Sequence, residues 1–183
     1  MSQLLIPDSG PLFSLAAGNL LGLLARFRVG ISDIVREETI DRGFGTNPSI
    51  EAQRLLSYYT QNAAHISIFQ TQVGMQIREA RALDPNYQTP RNLGELSIQS
   101  LLIDLQLNTR GTHPVILFED AWFLKNATSL AKPYTLLSTQ AFLEYAEQKH
   151  WIKSANQARQ SIAKVRPGAF TASEVIHQKP SSP

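Results

Sequence analysis

Asp8, Glu38, Glu95 and Asp120 are spread over most of a 183-residue chain, yet each stands where the sequence pattern predicts a strand ending or a helix beginning. Carboxylates placed that way on four separate segments are expected to converge on one acidic pocket. Two unit charges about 5 Å apart repel by roughly 3 kcal/mol at an effective dielectric near 20, so such a cluster calls for a bound cation. A donor set made only of oxygen favours Mg²⁺ or Mn²⁺.

The elements that must carry these acids can be read from periodicity. Leu4, Leu5 and Ile6 form a short apolar run that ends in Pro7-Asp8-Ser9-Gly10-Pro11, a strand running into a helix start. Helically spaced apolar residues continue to Phe27, broken at Gly18 and Gly22, so one long helix or two short ones fit. A second strand over 28–31 leads into a helix capped by Ser32 or Asp33, on which Ile34, Val35 and Glu38 share one side. Helices are expected near 50–59 and 71–83, with an alternating, half-buried strand over 65–69 between them. Next come a loop over 84–90 and an apolar helix from Leu93, whose first turn holds Glu95. Four consecutive apolar residues, 115–118, make the clearest strand, and Asp120 follows closely. A short helix over 121–127, a strand over 135–137 and helices over 138–150 and 152–165 complete an α/β alternation. That order predicts a mainly parallel sheet covered by helices, with ligands gathering beyond the carboxyl ends of its strands. Residues 1–165 read as one domain, and 166–183, poor in apolar residues, as a mobile tail.

Each acid also has a plainer reading. Asp8 could cap the helix that Pro11 helps to start, and Asp120 could cap the helix of Ala121, Trp122 and Phe123. Glu95 in a first turn complements the helix dipole without any catalysis. Glu38 could be a solvated helix-face residue, and Glu37 and Glu119 compete with Glu38 and Asp120 for the pocket. The four acids carry weight together, because all fit one architecture.

Leu4-Leu5-Ile6-Pro7-Asp8-Ser9-Gly10-Pro11-Leu12, Val35-x-x-Glu38, Gly94-Glu95-Leu96-Ser97 and Leu117-Phe118-Glu119-Asp120-Ala121-Trp122-Phe123 together resemble the PIN-domain nucleases, and most of all their toxin-like bacterial members. The resemblance runs over about residues 3–150. It departs from the family in the long stretch from Phe44 to Pro90 and in the 25 positions between Glu95 and Asp120. It implies a PIN-like three-layer α/β/α sandwich and hydrolysis of RNA phosphodiester bonds with Mg²⁺ or Mn²⁺. In it, Asp8, Glu95 and Asp120 hold the metal, directly or through water, and Glu38 ligates, orients water or accepts its proton. Arg42, Arg91 and Lys125 are its candidates for phosphate contacts. Toxin-like relatives usually dimerise and are silenced by a cognate antitoxin, so the implied partners are RNA, a second copy and an antitoxin protein.

Other functions are less well supported. A haloacid dehalogenase-type phosphohydrolase also begins with an aspartate after its first strand, but needs a second acid where Gly10 stands. No phosphate-binding glycine loop is present, and the four histidines are too dispersed for a zinc pattern. A catalytically idle PIN-like module that binds RNA or protein is the main alternative, and four acids in place argue against it. The absence of cysteine rules out disulfides and thiolate chemistry and is compatible with the cytoplasm. Neither a signal peptide nor a membrane span is expected, and a formal charge of +2 does not by itself argue for nucleic-acid binding.

Overall fold

A computed structural model describes residues 3–108, 111–169 and 174–179, together with the backbone but not the side chains of 42 and 43. The two unbroken apolar runs form β1 (Leu4–Pro7) and β4 (Val115–Phe118), every residue of which is buried. Strands buried on both faces belong in the middle of a parallel sheet, and these two lie side by side there. β2 (Arg28–Ser32) and β3 (Ile66–Phe69) continue outward from β1, and β5 (Tyr134–Ser138) and β6 (Val175–Gln178) from β4, giving the order β3-β2-β1-β4-β5-β6. Every pair is parallel except β5 with β6. The alternating segment expected over 65–69 becomes an edge strand, where one face is covered less completely.

Helices cover both faces of this sheet, so the molecule is a three-layer α/β/α sandwich. α1 (Ser9–Ala17) packs against α2 (Asp33–Thr39), α3 (Ile50–Asn62) and α8 (Ala155–Val165), while α5 (Leu93–Asn108) packs against α2 and α4 (Gln72–Leu83). Right-handed crossovers account for the two layers. The chain winds one way from β1 to β3, then reverses to place β4 on the far side of β1, which puts α4 and α5 on the face opposite α1 and α3. α6 (Ala121–Lys125) and α7 (Thr139–Gln148) follow β4 and β5. The broken helical run after α1 resolves into a 3₁₀ helix, Leu21–Arg26. Among the described residues no helix is long and apolar enough to cross a membrane.

Serine and threonine set the helix starts. Ser32, Ser49, Thr71, Ser138 and Ser154 each accept a bond from the backbone N–H three residues on, which decides the choice between Ser32 and Asp33 in favour of the serine. Asp33 instead turns into the gap between α2 and α4. It is 4% exposed, accepts from the Thr71 hydroxyl at 2.8 Å and pairs with Arg78 at 2.8 Å.

The C-terminal segment departs from expectation. Residues 175–178, inside the stretch expected to be a mobile tail, form β6, while 170–173 and 180–183 lie outside the described residues. β5 supplies the missing backbone partners, and the Thr135 hydroxyl bonds both His177 and His113, at 2.9 and 3.0 Å. A short strand with little apolar content needs such a template, which local composition does not reveal.

Gly74 lets α4 approach Asp33: a Cβ there would lie 2.1 Å from Asp33 Oδ2, and that carboxylate is pinned on both oxygens. We expect Gly74→Ala to cost about 2–3 kcal/mol in denaturant unfolding. An unchanged midpoint would mean that α2 and α4 are not locked together through this carboxylate.

Candidate metal centre

The reversal of winding leaves a crevice beyond the carboxyl ends of β1 and β4, the place where open α/β sheets bind ligands. Asp8 leaves β1 there, and Glu119 and Asp120 leave β4 beside it; the Asp8 N–H donates to Leu117 O at 2.9 Å. Glu95 approaches from the first turn of α5. Asp8, Glu95, Glu119 and Asp120 all line a cleft of about 330 Å³, together with Ser9, Gly10, Arg166, Gly168 and Ala169. Two larger hollows, of about 490 and 380 Å³, contain no carboxylate, so chemistry and not volume selects the site.

Glu38 reaches the same acids past Gly94. A Cβ at Gly94 would lie 2.9 Å from Glu38 Oε2 and 3.3 Å from Asp8 Oδ1, so the bare backbone leaves room for both carboxylates. Glu37 is drawn the other way, to Arg81 at 3.1 Å and Arg78 at 3.5 Å on α4. A hydrogen-bond relay fixes the approach of α5 to α2. Ser97 donates to Gly94 O at 2.6 Å, so Ser32 must donate to Ser97 across 2.6 Å, and Ser32 in turn accepts from the Val35 N–H.

The capping alternatives divide. Asp8 occupies the N-cap position of α1 but makes no side-chain capping bond, and its Oδ1 is buried with no hydrogen-bond partner among the described residues. Asp120 does cap, its Oδ1 accepting from the Trp122 N–H at 2.7 Å, and it stays exposed. Glu119 lies deeper, 7% exposed and 3.6 Å from Arg166.

Burial dominates the electrostatics. It pushes the Asp8 carboxyl up to about 8, with Glu95, Glu38 and Asp120 adding repulsion and the Ser9 backbone N–H offsetting part of the rise. Glu95 is raised by burial first and then by Asp120 and Glu38, against its own helix-start N–H. Burial also raises Glu119, with Ser14, Arg166 and Thr139 opposing. The four acids singled out by sequence therefore share one electrostatic neighbourhood.

That neighbourhood is not a preassembled ligand cage. Among the described residues no three His, Asp or Glu side chains stand arranged to hold a metal ion. Mutual repulsion between the acids resists such an arrangement, and a cation would offset it. The oxygen-only donors, the orphaned Asp8 Oδ1 and the space beside Gly94 fit a hard divalent ion. Of the residues suggested for phosphate contacts, Arg91 and Lys125 are exposed and do not line the cleft, and the Arg42 side chain lies outside the described residues. The cation that does line it, Arg166, carries no spacing signal in the sequence; only long-range packing brings it to Gly10 and Ser14. Compared with known protein families, curated proteins and solved structures, the chain matches none.

The raised Asp8 value makes stability depend on pH with a definite sign. Between about pH 4 and 8 the folded protein retains a proton that the unfolded chain has lost, so the stability of cation-free protein falls as pH rises through that window. In chelator at pH 8, Asp8→Asn should be more stable than the wild type by on the order of 2 kcal/mol, with the difference vanishing toward pH 4. Thermal melts across that range check this; a variant less stable at pH 8 would contradict it.

Proposed function

We propose that this chain is a metal-dependent endoribonuclease of the PIN type. The observation that supports this reading is the meeting of acids from four chain segments at the sheet's switch point, with Asp8 buried there and not used as a cap. Asp8, Glu95 and Asp120 would hold Mg²⁺ or Mn²⁺. When bound, such an ion supplies charge for the phosphoryl oxygens and acidity for the attacking water.

The chain's own groups perform the remaining work. Asp8 would release its proton on binding the ion, and the charge that burial disfavours would then be offset by the cation. Glu95 is steadied by the N-terminal end of α5, and Asp120 is held by the Trp122 N–H. Glu38, beside Gly94, would accept a proton from the attacking water as the water oxygen bonds phosphorus and the bond to the leaving ribose oxygen breaks, with solvent protonating that oxygen. The substrate in this reading is RNA, in a cytoplasmic setting, with a second copy and a cognate antitoxin as protein partners.

Mn²⁺ at about a hundredfold its Kd should stabilise the wild type by about 2.7 kcal/mol, and Asp8→Asn and Asp120→Asn should lose that gain while remaining folded. With Mg²⁺ the wild type should cleave single-stranded RNA, and either variant should be slower by on the order of 10²-fold or more. Equal cleavage by all three proteins sinks the proposal. RNA binding by the wild type with no cleavage under any divalent ion would instead identify an idle binding module.

A further inference from the structure

Five carboxylates, Asp8, Glu38, Glu95, Glu119 and Asp120, surround or line a cleft that is proposed to admit a polyanion. One dication neutralises two of those charges, and the remainder repels a phosphodiester. Among the described residues that line the cleft, Arg166 is the sole cation. It stands at the end of α8, 28% exposed, with its guanidinium centre 5.8 Å from the Phe13 ring.

We infer that Arg166 forms a phosphate-binding subsite in this cleft, taking a backbone phosphate of single-stranded RNA next to the reacting one; the inference rests on the nuclease reading for its ligand. The guanidinium is aimed by fixed neighbours. Its Nη1 donates to Gly10 O at 2.7 Å and to Ser14 Oγ at 2.8 Å, and lies 3.6 Å from Glu119 Oε2. Among the described residues all three contacts fall on one of the three nitrogens of a planar group with five donors, the fork that suits phosphate oxygens. Glu119 acts as its positioning residue: buried and paired, it holds the guanidinium against the wall formed with Gly168 and Ala169. A fixed cation on that wall draws the strand across the acidic floor and sets its register, as phosphate contacts do.

The test is fluorescence anisotropy of labelled single-stranded RNA with Ca²⁺ present, measured over a range of salt. Arg166→Gln should bind about tenfold more weakly, and the slope of log affinity against log salt should shrink by about 0.7, the loss of one phosphate contact. Glu119→Gln, which keeps the guanidinium and removes a negative charge, should bind at least as tightly as the wild type. A merely structural pair predicts equal losses in both variants and no change in salt slope, and that result overturns the inference. Arg166→Met, which keeps an apolar stem against Phe13, is the second neutral variant. Should both neutral variants fail to fold while Glu119→Gln folds and binds more weakly than the wild type, Arg166 belongs to the scaffold and the inference falls. Because binding is read without cleavage, a protein that loses affinity on Arg166→Gln yet never cuts RNA would retain the subsite and lose the nuclease reading.

Discussion

A carboxylate buried at the centre of a parallel sheet is the constraint around which this molecule is organised. Asp8 leaves β1 where the winding of the chain reverses, 4% exposed, beside acids from α2, α5 and the end of β4. In water its charge would be solvated; here it is not, and every neighbouring acid raises the cost of ionising it. Burial and these neighbours push the carboxyl up to about 8, which favours its protonated form at neutral pH. Such an arrangement carries an electrostatic cost that a hard cation would offset, and it ties the pH dependence of stability to one group.

The scaffold around Asp8 reads as a device for delivering acids while sending other charges elsewhere. Glu37 and Glu38 are adjacent on α2, yet Glu37 is taken by Arg78 and Arg81, leaving Glu38 to the site. Asp33, itself buried and bonded on both oxygens, locks α2 to α4 through Thr71 and a partly exposed Arg78, and Ser32 with Ser97 locks α2 to the start of α5. Removing a partner would leave a buried carboxylate uncompensated, so such contacts fix geometry more than they add energy. Gly10, Gly74 and Gly94 mark points where backbone comes close to a carboxylate, that of Glu119, of Asp33, and of Glu38 with Asp8.

The C-terminal segment has two structural roles that a reading of its composition would not assign. It adds an antiparallel edge to the sheet through β6, and through Arg166, Gly168 and Ala169 it forms one wall of the cleft. A segment held by backbone pairing, by the bonds of Arg166 to Gly10 and Ser14 and by that of His177 to Thr135 needs few apolar residues of its own. Its link to the first helix spans most of the chain, since Arg166 reaches Gly10 and Ser14, so the cleft is complete only when both ends of the domain have folded.

The amino-acid sequence by itself determined the alternation of strands and helices, the apolar strands that became β1 and β4, and the candidate acids Asp8, Glu38, Glu95 and Asp120. These follow from local causes: apolar period, helix-capping chemistry and the position of an acid relative to the element before it. Tertiary structure decided what local pattern leaves degenerate. The phase of Ile34 and Val35 favours Glu38 over its rival Glu37, and α4 decides between them by presenting two arginines to Glu37. Asp8 and Asp120 carry the same N-cap signal, but only Asp120 caps, because Asp8 is enclosed by β4 and α5 while Asp120 stays at the rim. Glu119 and Arg166 were not legible as partners, since 46 intervening residues carry no periodic trace of their contact. Charges act through space, and the distances that set their strength exist only once the chain has closed on itself.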